Sequence, residues 1–218
     1  MFGLGGSIPR RRAKVLCFGP ARLVGLALKR MVFDRCLPCG LCQEFKENEM
    51  KNVQLDHSSH KGTSKKYPIC YLAHDIDVPM NVGSFFRIAD ALGVEKIFLT
   101  GNSVVPPNPK IKKTSRSAEK YVEYEYQKDP VWVISNLKNS GYKIVSLEIT
   151  SASIDVREFC FNNNERICLI LGSESAGVCQ ELLDASDVSI HIPMLGNNSS
   201  MNVANACSIA TYELTRRY

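Results

Sequence analysis

From about residue 68 onward, short apolar runs alternate with segments of helical period, and that alternation constrains the fold more than any other feature of the chain. Ile69–Ala73, Lys96–Thr100, Lys143–Ile149, Ile167–Leu171 and Val188–Ile192 read as strands, and Tyr121–Tyr126 as a further short one. Val82, Phe85, Phe86, Ala89 and Leu92 follow helical spacing, with Gly93 placed to end that helix. Pro130–Leu137 and Cys179–Leu183 read as shorter helices. Asn202–Leu214 closes the chain with a helix whose apolar stripe is Val203, Ala206, Cys207, Ala210 and Leu214. Gly101–Lys113, rich in Pro and Lys, reads as a loop. Such alternation predicts an α/β fold, a mainly parallel sheet with helices on both faces.

Charge divides the chain differently. Residues 1–49 carry nine Lys/Arg against four Asp/Glu, whereas residues 50–218 carry 18 against 18. The first stretch reads as a basic appendage, disordered or not translated, with translation beginning at Met50 the favoured reading; residues 50–67 read as a polar connector and residues 68–218 as the domain. The main body has no bulk charge with which to hold nucleic acid, so any such contact needs a local patch. Lys110, Lys112, Lys113, Arg116 and Lys120 supply one within eleven residues. Nine cysteines without a convincing secretory signal point to a reducing compartment and a cytoplasmic location. Cys70, Cys160, Cys168, Cys179 and Cys207 have apolar neighbours and read as small core residues. Cys36, Cys39 and Cys42 followed by His57 and His60 approach zinc-finger spacing, but the histidines are too close together and the intervening hydrophobic pattern is missing, so no metal is expected. With no apolar run of about 18 residues, no membrane span is expected either.

In open parallel sheets, ligands bind beyond the C-terminal ends of the strands, so the loops that follow strands are where chemistry is sought. Three of them stand out. Asn81-Val-Gly-Ser-Phe-Phe-Arg87 places Arg87 opposite the apolar stripe of its helix; taken alone, Asn81 fits a helix cap and Arg87 an exposed arginine. Gly172-Ser-Glu174-Ser-Ala-Gly177 resembles a dinucleotide turn with its middle glycine replaced by glutamate, which suits a cationic or hydroxyl-bearing ligand better than a pyrophosphate. Ile192-Pro-Met194-Leu-Gly196-Asn-Asn-Ser-Ser200-Met201-Asn202 enters the last helix, whose N-terminus offers free backbone N–H groups amid polar side chains.

Together the three segments resemble, in order and internal spacing, the SpoU/TrmH branch of the SPOUT RNA methyltransferases. The first is similar to that family's Asn-x5-Arg motif, the second to its Leu-x-x-Gly-x-Glu-x-x-Gly motif from Leu169, and the third to its Ile-Pro-Met-x-Gly-x-x-x-Ser-Leu-Asn-Val motif, with Met201 in place of leucine. The resemblance covers about residues 68–217. It implies a C-terminal deep trefoil knot, S-adenosylmethionine as cofactor, a ribose 2′-hydroxyl of tRNA or rRNA as acceptor, and a homodimer with the active site at the subunit interface. It implies Leu171, Gly172, Gly177, Ile192, Met194 and Met201 at the cofactor. Arg87 is matched to the catalytic arginine, as base, alkoxide stabiliser or phosphate contact, with Asn81, Glu174, Ser200 and Asn202 positioning it and the substrate. The region around Ser117 and Ala118 is similar to the family's basic Ser-x-Gly-Ala stretch with its glycine missing, which implies RNA contact for Lys110, Lys112, Lys113 and Arg116. A base-methylating SPOUT enzyme and a non-catalytic RNA-binding relative are the alternatives.

Overall fold

In the computed structural model, which describes residues 52–56, 59 and 62–218, the apolar runs become strands wherever β-branched and aromatic residues cluster between turn signals. The elements are β1 (Tyr67–His74), α1 (Pro79–Leu92), β2 (Val94–Thr100), α2 (Pro109–Ser115), a 3-10 turn at Ala118–Lys120, β3 (Glu123–Gln127) and α3 (Pro130–Asn139). There follow β4 (Tyr142–Leu147), β5 (Ile154–Asp155), β6 (Arg166–Leu171), α4 (Gln180–Ala185), β7 (Val188–His191) and α5 (Val203–Thr215). The seven strands form one sheet in the order β3-β2-β1-β6-β4-β7-β5, and every pairing is parallel. The basic appendage, the Met50 start and the Cys36/Cys39/Cys42 and His57/His60 pattern lie outside the described residues.

The central strands are buried on both faces, which is why they read as continuous apolar runs rather than alternating ones. Ile69, Tyr71 and Ala73 of β1, with Ile167, Leu169 and Leu171 of β6, face a core closed by Val82, Phe85, Phe86 and Ala89 of α1 and Cys207, Ala210 and Leu214 of α5. Cys70, Leu72, Cys168 and Ile170 face the opposite way, onto Val133, Ile134 and Leu137 of α3 and Leu182 of α4. The Tyr71 hydroxyl meets Thr211 Oγ1 at 2.7 Å in full burial, which ties α5 to the middle of the sheet. Burial pushes the Cys207 thiol up to about 12 and the Cys70 thiol well above its ordinary value, so both stay protonated and unreactive. Cys160 is exposed and Cys179 half-buried; the expectation of a core position holds for Cys70, Cys168 and Cys207 and not for these two.

Three local differences from the sequence reading have physical causes. Part of the expected 101–113 loop is α2: Asn108 caps it, its side chain accepting the N–H groups of Lys110 at 2.9 Å and Ile111 at 3.4 Å, and Pro109 supplies a pre-set first turn. A seven-residue helix with only Ile111 and Ser115 buried is too short to show an apolar period. The β3 strand begins two residues later than expected because Ala118–Lys120 wind into the 3-10 turn. The two-residue β5 carries too little pattern to be seen in the sequence.

Gly83 admits α2 to the surface of α1, since a Cβ there would lie 2.8 Å from both the Ile111 carbonyl oxygen and Thr114 Cβ. Arg116 and Ser117 follow α2 with φ of 54° and 72°, and Ser117 occupies the place of the glycine missing from the Ser-x-Gly-Ala pattern. A left-handed L-residue costs about 1–2 kcal/mol. Replacement by glycine returns about 0.4–1 kcal/mol of that through the looser unfolded chain. Ser117→Gly is therefore expected to stabilise by roughly 0.5–1 kcal/mol, and Gly83→Ala to destabilise by roughly 1–3 kcal/mol through overpacking against backbone; urea unfolding of the two variants checks both signs.

Candidate active site

Because every strand runs the same way, the loops after β1, β4, β6 and β7 open at one end of the sheet. The loop after β6 is held shut by two backbone hydrogen bonds, Ser173 N–H to the Gly177 carbonyl at 3.1 Å and Gly177 N–H to the Ser173 carbonyl at 2.9 Å. A Cβ on Gly172 would lie 2.1 Å from the Gly177 carbonyl carbon, so the first glycine of the motif exists to let the loop fold back on itself. Gly177 has φ 66°, and a Cβ there would lie 2.3 Å from Glu148 Oε2.

The three motifs meet through a chain of side-chain amides. Asn202 is the N-cap of α5, its Oδ1 accepting the Ala204 N–H at 3.0 Å and the Asn205 N–H at 3.3 Å. That fixes its Nδ2 outward, where it donates to Asn81 Oδ1 at 3.1 Å. Asn81 has its own Nδ2 left to donate, and it does so to Glu174 Oε1 in a short contact. Asn81 is oriented by Asn202, and the donor it has left meets an acceptor in the Glu174 carboxyl group. Asn81 is not the cap of α1, as its neighbourhood in sequence would allow: Val78 holds that place, Pro79 opens the helix, and Asn81 sits buried within the first turn.

Beside this chain lies a cavity of about 800 Å³, lined by Gly172, Glu174, Gly177, Ile192, Met194, Ser200, Met201 and Asn202, together with Glu148 and His191. Leu171 stands apart from the other residues expected at the cofactor: it is fully buried under the loop and does not line the cavity. Arg87 is exposed on α1 and lines a different concavity, of about 890 Å³, between α1, α5 and the loop after β7. Ile192 lines both. Lys110, Lys112, Lys113 and Arg116 are exposed on and just after α2, which leans on α1 beside Gly83. Among the described residues no group of three or more His, Cys, Asp or Glu side chains is gathered to hold a metal, and no helix is long and apolar enough to cross a membrane.

Two lining residues escaped the sequence reading. Glu148 directly follows β4, with Oε1 accepting the Ile149 N–H and Oε2 the Val178 N–H, each at 2.9 Å. His191 ends β7, and its Nδ1 is buried with no hydrogen-bond partner among the described residues. Both stand at C-terminal ends of strands, so the rule that singled out three loops would have reached them had it been applied to β4 and to the last residue of β7.

The model of the SpoU rRNA methylase family matches residues 68–212. The chain belongs to that family. A family relative named as an uncharacterized tRNA/rRNA methyltransferase, from Borreliella burgdorferi, is 28% identical over 183 residues, 82% of this chain and 79% of its own length. The tRNA (guanosine(18)-2′-O)-methyltransferase of Escherichia coli is 28% identical over 142 residues, which span 64% of this chain and 59% of that enzyme, less than two thirds of it. Among solved SpoU structures, the TrmH/SpoU tRNA-modifying enzyme of A. aeolicus superimposes with a TM-score of 0.63 at 27% identity, covering 71% of this chain and 77% of that one. The SpoU methyltransferase AviRb of Streptomyces viridochromogenes, solved in complex with AdoMet, gives 0.61 at 27% identity over 68% of this chain and 57% of its own.

Asn81→Asp tests the one-way amide chain in this SpoU fold. It exchanges the donor facing Glu174 for a second carboxylate, and two carboxylates sharing a site raise the pKa of one of them above its unfolded value. Stability is then retained below the unfolded carboxylate pKa and lost as pH rises through the folded one. The variant should therefore fall short of wild type by roughly 1–3 kcal/mol at pH 7 and by less near pH 4, as read from chemical denaturation at the two pH values.

Proposed function

We propose that the chain transfers a methyl group from S-adenosylmethionine to a ribose 2′-hydroxyl of tRNA or rRNA. The observation that carries this reading is the Asn202–Asn81–Glu174 chain, which joins residues of all three motifs, two of them, Glu174 and Asn202, lining one cavity. The name of the Escherichia coli relative supports the ribose 2′-oxygen as acceptor, and the AdoMet complex of AviRb supports the cofactor.

The cavity suits that cofactor. Its volume of about 800 Å³ lies in the range of ligand sites, and Leu147, Ile149, Ile192, Met194 and Met201 give it apolar walls for a base. Glu148 and Glu174 offer carboxylates to hydroxyls or positive charge, and His191 adds a polar side chain to the lining. Bound there, S-adenosylmethionine supplies an electrophilic methyl group on a sulfonium. Gly172, Gly177, Ile192, Met194 and Met201 hold it, with Leu171 supporting the loop from beneath. Alignment of donor and acceptor supplies much of the acceleration.

Arg87 donates to the acceptor oxygen as negative charge develops on it, the hydroxyl's proton passes to solvent water, and the cofactor's sulfur departs as the neutral thioether. A guanidinium keeps its proton, so stabilisation suits it better than the part of a base. Asn81, Glu174, Ser200 and Asn202 orient the acceptor. Lys110, Lys112, Lys113 and Arg116 hold the RNA backbone.

Arg87 reaches the cavity in a homodimer. The groove it lines carries Ile209 and Tyr212, 43% and 60% exposed, and Leu195 at 97%, an apolar strip that a second copy covers. The shared residue Ile192 brings that groove alongside the cofactor cavity. The C-terminal segment that carries Ile192–Met201 and α5 is threaded as a trefoil knot, and the fixing of α5 to the sheet through Tyr71 and Thr211 accords with this. The unpaired thiols accord with a reducing, cytoplasmic setting.

The test is transfer of labelled methyl from S-adenosylmethionine to total tRNA and rRNA, followed by digestion to nucleosides. A 2′-O-methylnucleoside is expected, with transfer by Arg87→Ala at least about 100-fold lower; a base-methylated nucleoside, or no transfer, overturns the ribose reading. Tyr212→Asp places a charge in the apolar strip and is expected to give a monomer in light scattering, with transfer falling alongside the dimer.

A further inference from the structure

The geometry points to Glu148 as the residue that reads the vicinal hydroxyls of the cofactor's ribose, a role assigned to none of the three motifs. The assignment rests on the cofactor reading above and adds a residue from a fourth loop to it.

Three observations carry it. The carboxylate is fixed in place: Oε1 accepts the Ile149 N–H and Oε2 the Val178 N–H, each at 2.9 Å, so its plane and position are set before any ligand arrives. Each carboxylate oxygen has capacity for two hydrogen bonds and accepts one of these, so both keep a lone pair to spare on a group that lines the cavity. Two neighbouring acceptor oxygens match the two donors of a vicinal diol, whereas an ammonium needs no such pair.

Position along the sheet separates this end of the cavity from the reacting end. The Asn81–Glu174 contact lies over β1 and β6, while Glu148 continues β4, with its N–H on the Ile190 carbonyl of β7 at 2.9 Å. Glu174 is engaged by Asn81 while Glu148 is held at Val178, four residues further along the same loop, so the two carboxylates address different parts of an extended ligand. His191, the last residue of β7 and a lining residue of the same cavity, is a second polar side chain there. The Gly177 backbone is what admits the carboxylate, since any side chain there would meet Oε2.

Glu148 also braces the loop after β6 through Val178, so the test has to separate ligand contact from support. Calorimetry with S-adenosylhomocysteine and with its 2′,3′-dideoxy analogue, each against wild type and Glu148→Gln, forms a double-mutant cycle between residue and ligand. Wild type is expected to bind the dideoxy analogue roughly 10–100-fold more weakly, as loss of hydrogen bonds to a charged group implies, and Glu148→Gln is expected to lose much less on the same change of ligand. Equal loss in both proteins overturns the assignment and leaves Glu148 as a brace. Should Glu148→Gln fail to fold, as judged by circular dichroism, wild type alone decides: equal affinity for the two ligands overturns the proposal. Failure of wild type to bind S-adenosylhomocysteine at all removes the cofactor reading itself, a result distinct from either.

Discussion

The side-chain amide of Asn202 is the part on which the rest of the site depends. Its oxygen is taken by the first free N–H groups of α5, and from that single commitment follow the orientation of Asn81 and the donor that Asn81 presents to Glu174. Helix capping and site assembly therefore share one residue, and loosening the N-terminus of α5 costs Asn81 the amide that orients it. The buried Tyr71–Thr211 contact holds the same helix two turns further on. The functional end of the sheet is thus anchored to its middle.

Much of this was legible in the sequence, because the constraints that matter are periodic or local. Strands buried on both faces had to be runs such as Ile69–Ala73 and Ile167–Leu171, and Gly93 ends α1 in the left-handed conformation that its position implied. The three loops could be located because parallel strands send their functional loops to one end. What pattern could not show was contact between distant residues. Nothing in the spacing of Asn81, Glu174 and Asn202 says that they touch in that order, or that Arg87, six positions from Asn81, faces a different concavity.

Other features were hidden for a different reason. The α2 helix is announced only by Asn108-Pro109, a cap and a first turn, and its Lys-rich surface outweighed that signal. Glu148 is one acidic residue at the end of a strand, with no motif around it. Its importance appears only when Val178 and Gly177, thirty residues away, are seen to close on it. Ser117 shows the reverse case, in which a residue other than the glycine of a familiar pattern stands in a left-handed conformation, with a conformational cost.

The strand order also governs how such a chain comes into being. The central pair joins Ile69 to Ile167, so β1 waits for its second neighbour until most of the domain has left the ribosome. Closing so long a loop is entropically slow, and until β6 arrives β1 is an apolar edge open to pairing with other chains. A nascent chain of this kind stays open to strand pairing with its neighbours until β6 has been made.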